Sequence, residues 1–255
     1  MEKKTVPFAE LLTEAVNEPG IISDCYRKFH GYSIGNQIWA WSQCKARQIK
    51  LGPIATFKRW QELGRQVKRG EKAISLVLPV TVKERDQNGV ETGKVFSIFT
   101  VKNNWFVLDQ TEGDGNIEEA AIPEWDRAKA LEALDIEEIE FDLADGNTQG
   151  YASERSIAIN PIAQYPHKTR FHEIAHVVLG HTKEGHFSDN ERTPRDIREV
   201  EAESVAYILT SLLSLPGAVE SRGYIQAWLS GGLVSDKSAQ KIFAAANKIL
   251  EAGKV

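Results

Sequence analysis

The string His172-Glu-Ile-Ala-His176 constrains the fold of this chain more than any other stretch of its sequence. Two histidines four residues apart lie on the same side of an α-helix, where both imidazoles can reach one tetrahedral ion. Apolar residues at helical spacing flank them and would bury the neighbouring side of the helix. These residues are Phe171, Ala175, Val178 and Leu179. The pattern predicts a helix from about His167 to Leu179 that ends at Gly180 and turns its histidines toward a cleft.

The residue types of this string are those of a zinc-dependent hydrolase. Neutral imidazole binds Zn²⁺ well, and an ion with one position left to water lowers the pKa of that water to about 7. Glu173 follows the first histidine and can accept the proton of the water and hand it to a leaving amine. We therefore predict His172 and His176 as zinc ligands and Glu173 as the general base. The competing interpretation is a structural helix that carries two histidines by chance.

A third protein ligand is expected from a second helix, predicted from about Ile197 to Leu213. A metzincin would instead need a ligand at position 182 and glycine at 179, which are Thr182 and Leu179 here. The second helix offers Glu199, Glu201 and Glu203. Its apolar face lies closest to Glu201, and a carboxylate on a buried face is costly unless it is paired or binds a metal. This favours Glu201 as the third ligand and the site as a gluzincin.

The other polar residues of this region are assigned supporting roles. Glu199 and Glu203 point away from the centre of the apolar face, so either could instead bond the far nitrogen of a ligand histidine. All three glutamates, Glu201 included, could also belong to a charged helix start, where acidic groups suit the helix dipole. His181 follows the predicted helix stop and is a reserve ligand or supporting residue.

The net charge of −5 is unevenly distributed along the 255 residues. Residues 1–108 hold 17 Lys and Arg against 10 Asp and Glu, a charge of +7, and residues 109–255 hold 14 against 26, a charge of −12. This asymmetry predicts a polyanion-binding module joined to a part that does not bind polyanions. The acidic, glycine-bearing segment from Asp109 to Pro123 has no hydrophobic period. We therefore predict domains at residues 1–110 and 124–255 with a linker at 111–123.

The predicted fold class is α+β, with a helical and β-hairpin domain followed by a gluzincin-like α+β domain. The first domain should contain helices at about Phe8–Val16 and Ile34–Ile49, and a short helix capped by Thr56 and ended by Gly64. Its predicted strands are Ala73–Lys83, Lys94–Val101 and Trp105–Leu108, the first two joined by the turn Asp86–Gly89. The second domain should add a helix at Trp125–Leu134, a strand within Tyr151–Asn160 and a final helix at Ser235–Ala252.

The basic half combines cations with aromatic rings between Lys45 and Lys72. Cations that follow phosphates and flat rings that stack on bases are what a binder of single-stranded nucleic acid needs. The loop Gly64–Gly70 strengthens this interpretation, because its three cations repel one another unless a polyanion binds. The predicted contacts are Trp39, Trp41, Lys58, Arg59, Trp60, Arg65, Lys68, Arg69 and Lys72. Tryptophans at such spacings are also frequent core residues.

Stretches in both halves of the chain resemble one known family. Asn36–Trp41 and Thr56–Lys72 are similar to the N-terminal single-stranded-DNA-binding domain of ArdC-type antirestriction proteins. The blocks His172–His181 and Arg198–Glu203 look like its zincin-type metallopeptidase domain, and Ser221–Gln226 and Lys237–Phe243 are also similar to that family. Glu201-Ala202 followed by Ala206 resembles the third-ligand helix of the ImmA/IrrE-type regulatory metallopeptidases, which agrees with Glu201 as a ligand.

The resemblance implies a protein of a plasmid, phage or other mobile element that binds single-stranded DNA, with double-stranded DNA as a second option. It also implies a zinc metallopeptidase fold acting on a protein substrate. The alternatives are a regulatory or toxin-type zinc protease whose basic domain grips a protein partner, and a non-catalytic site where metal only ties two helices together. With two cysteines, no apolar run of about 20 residues and no signal peptide, a cytoplasmic protein without a membrane partner is expected.

Overall fold

A computed structural model describes residues 6–85, 91–115, 121–143, 147–182, 194–231 and 234–255. Over these ranges the chain is a mixed α+β protein with two compact units. The first unit comprises Met1–Val6 and Trp39–Glu119, and the second comprises Pro7–Ile38 and Ala120–Val255. No helix within the described ranges is both long and apolar enough to cross a membrane.

The division into units differs from the predicted domain limits at residues 7–38, which belong to the second unit. These residues form helices α1 (Phe8–Asn17) and α2 (Ile21–Phe29) and the start of α3 (Ile34–Arg47). The apolar side of α1 is buried within the second unit. There the Tyr207 hydroxyl donates to the Ala15 carbonyl at 3.4 Å. An amphipathic pattern predicts such a helix, but it does not say which partner will cover the apolar side.

The first unit is built on a three-stranded antiparallel sheet with the order β1–β4–β3. Its strands are β1 (Ile54–Thr56), β3 (Ile74–Arg85) and β4 (Glu91–Val107), while β2 (Gln66–Val67) pairs with β5 (Thr111–Glu112). The predicted hairpin is therefore present, and the predicted strand at residues 105–108 overlaps the end of β4. The turn predicted at residues 86–89 lies outside the described residues.

Two polar contacts fix the helices of the first unit. The Thr56 side chain accepts from the Arg59 amide and so caps α4 (Phe57–Glu62), as the sequence predicts. The buried amide of Gln43 on α3 donates to the Ser75 carbonyl at 2.8 Å and accepts from the Ser75 amide at 2.9 Å. The Gln43 side chain thereby satisfies the backbone amide and carbonyl of Ser75, as the backbone of a neighbouring strand would otherwise do.

The second unit places helices on a small mixed sheet with the order β6–β8–β7. Strand β6 (Glu137–Ile139) runs parallel to β8 (Ser156–Ile159), and β7 (Gly150–Ser153) runs antiparallel to it. The predicted strand at Tyr151–Asn160 is thus two strands joined by a turn. The helices that follow the acidic segment are α5 (Arg127–Leu134), α6 (Pro166–Leu179), α7 (Arg195–Leu212), α8 (Ala218–Gly231) and α9 (Asp236–Gly253).

Helix α6 is held by an ion pair with the sheet and by an aromatic contact with Trp125, which precedes α5. The Arg170 guanidinium donates to both carboxylate oxygens of Glu138 on β6, at 3.0 and 2.9 Å. On the neighbouring residue, the Phe171 ring meets the Trp125 ring edge-on with centroids 4.8 Å apart. These contacts fix the rotation of α6 about its axis, which decides where its histidines point.

Candidate metal centre

His172 and His176 converge on the side of α6 that faces α7. Their Nε2 atoms lie 3.1 Å apart, and their rings are nearly perpendicular with centroids separated by 4.8 Å. Both imidazoles are largely buried, with side chains 18% and 13% exposed. The predicted pair of imidazoles therefore meets at one point.

The carboxylate closest to this point belongs to Glu199 at the start of α7. Its Oε2 atom lies 3.4 Å from His172 Nε2 and 3.7 Å from His176 Nε2. One ligand atom from each of these three residues lies within 4.8 Å of the ligand atoms of the other two. The three side chains form the candidate metal centre.

Glu203 supports His172 from the opposite nitrogen. Its Oε2 atom lies 2.8 Å from His172 Nδ1, and its Oε1 atom lies 2.8 Å from the Lys168 ammonium. A carboxylate only accepts hydrogen bonds, so it holds the proton of His172 on Nδ1 and leaves Nε2 free to face the centre. Lys168, which the sequence analysis did not single out, lies one turn before His172 on α6.

Glu201, the carboxylate predicted as third ligand, points elsewhere. Its Oε2 atom lies 2.9 Å from His181 Nε2, and its Oε1 atom accepts from the Ser238 hydroxyl at 2.5 Å. The reason is the helical period: Glu199 and Glu203 are four residues apart and share the side of α7 that faces α6, whereas Glu201 lies about 200° away from both. Burial does not distinguish Glu201 from Glu203, because α7 is buried continuously from Val200 to Thr210.

His181 returns to the site through the end of α6. Gly180 has a left-handed backbone with φ of 79°, and the His181 amide donates to the His176 carbonyl at 2.9 Å. This C-terminal turn brings His181 Nδ1 to 3.0 Å from His176 Nδ1. The glycine stop is visible in the sequence, but the return of the next side chain depends on the turn geometry.

The charges of the cluster favour a cation. Burial alone would lower the pKa of His172, but its hydrogen bonds with Glu199 and Glu203 raise it to about 9. Contacts with His172 and His176 hold the pKa of Glu199 well below its usual range. Burial works against the charge on Glu203, yet its contacts with His172 lower its pKa to about 2. Glu199 and Glu203 are therefore both ionised beside the imidazoles, as carboxylates near a bound cation would be.

Glu173 differs from these two carboxylates because it has no cationic partner at hydrogen-bond distance among the described residues. It is 7% exposed. Burial raises its pKa to about 7, since the attraction of His172 is outweighed by burial together with the charges of Glu199 and Glu203. The edge strand β7 passes close by: a Cβ added to Gly150 would lie 3.2 Å from Glu173 Cγ.

The donor set fits a tetrahedral divalent ion. Zn–N bonds of about 2.0–2.1 Å in a tetrahedral arrangement separate two nitrogen ligands by about 3.3 Å. The observed separation of His172 Nε2 and His176 Nε2 is 3.1 Å, and Glu199 adds an oxygen from one side. Two histidines and a glutamate leave a fourth position open, as catalytic zinc sites do.

The three tryptophans predicted to stack on DNA lie in the core of the first unit. Trp39, Trp41 and Trp60 are 9%, 6% and 0% exposed, and the Trp60 indole donates to the Phe106 carbonyl at 2.8 Å. Their rings cannot reach a base in this conformation, which corrects the predicted contact. Phe57, at the start of α4, is 43% exposed and was not singled out from the sequence.

The predicted cationic contacts are mostly on the surface. Exposed cations between Lys45 and Lys72 include Lys58, Arg59, Lys68, Arg69 and Lys72. Arg65 is half-buried, because its guanidinium donates to the Gly113 and Gly115 carbonyls and to the Thr111 hydroxyl. Arg65 therefore ties β2 to the segment after β5, and this places it among the structural residues of the unit.

The fold as a whole is similar to that of a protein of known structure. It is similar to the metal-free crystal structure of ArdC from the R388 plasmid, with 22% sequence identity, a TM-score of 0.55 and coverage of 96% of this chain and 94% of that chain. It is also similar to the Mn(II)-bound structure of the same protein, with 18% identity, a TM-score of 0.57 and coverage of 97% and 98%. A search of curated proteins gave no significant match.

Part of the sequence also matches a family model. Residues 12–122 match the model of the family described as the N-terminal domain of anti-restriction factor ArdC. This region contains the basic segment and the sheet of the first unit. The chain thus contains a region that matches the ArdC N-terminal domain, and its fold is similar to that of ArdC over nearly its whole length.

Proposed function

We propose that this ArdC-type chain is an antirestriction protein of a mobile element that binds single-stranded DNA and carries a gluzincin-like zinc metallopeptidase site. One observation carries the metal site. The Nε2 atoms of His172 and His176 lie 3.1 Å apart beside the carboxylate of Glu199. Two imidazole nitrogens and an acid at this spacing match the ligand set of a divalent-ion site.

The proposed ligands are His172, His176 and Glu199, so Glu199 takes the place that the sequence analysis gave to Glu201. The Mn(II)-bound structure of R388 ArdC supports a divalent ion in this fold. Zinc is our choice for this chain because two imidazoles and one carboxylate are the ligand set of catalytic zinc sites. Glu203 holds His172 in the ligand tautomer, and Lys168 holds Glu203.

The proposed chemistry is hydrolysis of a peptide bond. A bound divalent ion supplies Lewis acidity and makes water nucleophilic near neutral pH. Glu173 accepts a proton on its carboxylate and returns it to the leaving amine, a role that suits a pKa of about 7. Its burial excludes bulk water from that transfer, which strengthens the interactions of its charged form with the substrate.

The substrate of this site would be an extended peptide. Strand β7 forms one edge of the three-stranded sheet in the described part of the second unit, and Gly150 on this strand lies against Glu173. An extended peptide can add to such an edge through backbone hydrogen bonds, which places its amide groups in register beside the site. This arrangement favours a peptide over a compact small molecule.

The proposed DNA interface consists of exposed cations on the first unit. Lys58 and Arg59 lie on α4, and Lys68 and Arg69 lie in the turn after β2. Phe57 beside them offers an exposed ring on which a base can stack. Since the tryptophans are buried, phosphate contacts supply most of the affinity, and sequence preference is expected to be weak.

Zinc titration of metal-free protein against a chromophoric chelator tests the metal site. Wild-type protein is expected to bind one zinc ion, and His172→Gln is expected to lower the affinity by at least 100-fold because a ligand is lost. His167→Gln, a change outside the cluster at the start of the same helix, serves as the matched control. Equal affinity of the wild type and His172→Gln would contradict the proposed site.

Fluorescence anisotropy with a labelled oligothymidylate at several salt concentrations tests the DNA interface. Binding is expected to weaken steeply with salt, and Arg69→Gln is expected to lower both the affinity and the magnitude of the salt slope by about one counterion. Lys248→Gln, which removes an exposed cation from α9, should leave both quantities unchanged. Affinity that is independent of salt would contradict the interface.

A further inference from the structure

A buried chain of polar side chains lies behind His176. His181 Nδ1 is 3.0 Å from His176 Nδ1, His181 Nε2 is 2.9 Å from Glu201, and Glu201 accepts from the Ser238 hydroxyl at 2.5 Å. The side chains of His181 and Glu201 are 7% and 3% exposed. We call His181, Glu201 and Ser238 the buried relay. It links the end of α6 to α7 and to the first turn of α9.

The relay is costly for the fold, which points to a specific role. Burial of a carboxylate is unfavourable by several kcal/mol unless its oxygens are satisfied, and both oxygens of Glu201 have a partner here. An apolar side chain at position 201 would avoid this cost. The surrounding positions of α7, such as Val200, Ala202 and Val205, are all buried and mostly apolar.

The hydrogen bonds of the relay assign each proton. The carboxylate of Glu201 only accepts, so His181 must carry its proton on Nε2. In neutral His181 the Nδ1 atom then has a lone pair and accepts. His176 must therefore donate from its own Nδ1, which leaves its Nε2 atom without a proton and directed at His172 and Glu199.

The opposite arrangement would remove His176 as a ligand. If the proton of His176 were on Nε2, that atom would donate a hydrogen bond to His172 Nε2 across the 3.1 Å gap. No lone pair would then be available for a metal ion. The tautomer of His176 thus decides whether the two imidazoles form a hydrogen bond or a metal site.

We infer that His181 is a positioning residue, which Glu201 and Ser238 orient so that it holds His176 in the tautomer that binds metal. This inference rests on the proposed metal site. It gives the two ligand histidines different supports: His172 bonds directly to the carboxylate of Glu203, whereas His176 bonds to an imidazole that a second carboxylate orients. It also excludes His181 as a ligand, since both of its nitrogens are engaged away from the centre.

The test measures the tautomer and the metal affinity separately. Metal-free protein labelled with ¹⁵N-histidine reports which nitrogen of His176 carries the proton, through long-range proton–nitrogen correlations assigned with His176→Gln. Wild type should show one Nδ1–H tautomer, and His181→Leu should show a mixture. Zinc affinity, measured by chelator competition, should fall 10–100-fold in His181→Leu, as expected when a supporting partner of a ligand is lost.

Conservative variants distinguish positioning from packing. His181→Asn places an amide oxygen near the position of Nδ1, so it should retain part of the tautomer preference and lose less zinc affinity than His181→Leu. Ser238→Ala removes one bond to Glu201 and should have a small effect in the same direction. Ser204→Ala is the matched control, since it removes a buried hydroxyl of α7 without a partner among the described residues.

An unchanged His176 tautomer in His181→Leu would overturn the inference, whatever the zinc affinity. If that variant does not fold, an unchanged tautomer in both His181→Asn and Ser238→Ala overturns it. A wild type that binds no zinc would contradict the proposed function instead. The tautomer experiment would still judge the relay, because it is carried out on metal-free protein.

Discussion

Glu203 Oε2 lies 2.8 Å from His172 Nδ1, on the side of the imidazole opposite to the candidate metal centre. A carboxylate at this nitrogen leaves Nε2 available to an ion, and Glu199, one turn earlier on α7, lies 3.4 Å from that Nε2 atom. Because Glu199 and Glu203 are four residues apart, α7 places one carboxylate near each ring nitrogen of His172.

Glu173→Gln separates hydrolysis from metal binding and from DNA binding. Glutamine has nearly the same shape but cannot accept the proton, so we expect turnover of an unfolded protein such as casein to fall by about 10²–10⁴-fold. Zinc content and oligonucleotide affinity should stay at wild-type levels. If the Glu173→Gln protein still protects DNA from restriction in cells, that result supports the antirestriction function. Loss of protection together with turnover would favour the regulatory or toxin-type protease.

Failure of the wild type to cleave any substrate would favour the non-catalytic alternative. In that case zinc only ties α6 to α7, and a chelator should lower the melting temperature of the wild type and of Glu173→Gln by the same amount. Melting temperatures recorded with and without chelator provide this comparison.

The helices of the site were predictable because their signals are local. Histidines four residues apart, an apolar stripe and a glycine stop define α6, and the Ser235 side chain caps α9 by accepting from the Ser238 amide. The pair of histidines and the neighbouring Glu173 follow from this helix alone. The α2 and α8 helices were missed.

The carboxylate that lies beside the two histidines was not predictable from the apolar face of α7. A buried carboxylate can be satisfied by any partner, and Glu201 found His181 and Ser238 rather than the metal centre. The choice depended on the rotation of α7 relative to α6, which is a tertiary property. The burial of the tryptophans has the same origin, because an aromatic ring beside cations suits a core as well as a nucleic-acid surface.

The ion pair of Arg170 and Glu138 should make stability depend on acid pH. Burial would raise the pKa of Glu138, but its contacts with Arg170 and Arg127 lower it below 4.5. Because the folded pKa is depressed, the stabilisation is present above pH 4.5 and is lost as the pH falls below it. Glu138→Gln should lower the free energy of unfolding by about 1–3 kcal/mol at pH 7.

Urea denaturation at pH 7 and at pH 3.5 measures this effect. The difference between wild type and Glu138→Gln should shrink at the lower pH, because Glu138 of the unfolded wild type binds a proton there and glutamine does not titrate. Glu137→Gln, an exposed neighbour on β6, is the control and should change stability by less than about 0.5 kcal/mol. A loss in Glu138→Gln that is no larger than this would contradict the role of the pair.

Gly150→Ala should disturb the site from the edge strand. The added Cβ would lie 2.7 Å from Thr169 Cγ2, 2.9 Å from the Ala158 carbonyl and 3.2 Å from Glu173 Cγ. Since a backbone oxygen cannot move aside easily, the strand or α6 must shift, at a cost of about 1–3 kcal/mol. The melting temperature and the rate of substrate turnover should both fall.

Gly223→Ala is the matched glycine change. A Cβ at this helical position meets nothing within 4 Å, so alanine should leave stability unchanged or raise it by up to about 1 kcal/mol. Equal effects of the two substitutions would show that the close approach of β7 to Glu173 has no energetic consequence.

Trp60→Phe should lower stability without changing how DNA is bound. The indole is fully buried and donates to the Phe106 carbonyl at 2.8 Å, so the change leaves a small void and an unpaired carbonyl. We expect a loss of about 1–3 kcal/mol in the free energy of unfolding. The dependence of oligonucleotide affinity on salt should stay the same for the folded variant. If Trp60→Phe bound the oligonucleotide more weakly but kept the wild-type melting temperature, Trp60 would have to be assigned to the DNA interface.

X-ray anomalous scattering from zinc-loaded crystals tests the ligand set most directly. Data collected on both sides of the zinc absorption edge should locate one ion bound by His172 Nε2, His176 Nε2 and a carboxylate oxygen of Glu199, with Glu201 still bonded to His181 and Ser238. The Glu199→Ala protein should lose the anomalous peak, while Glu132→Ala on α5 should retain it. An ion bound by Glu201, or zinc absent from the two histidines, would contradict the proposed centre.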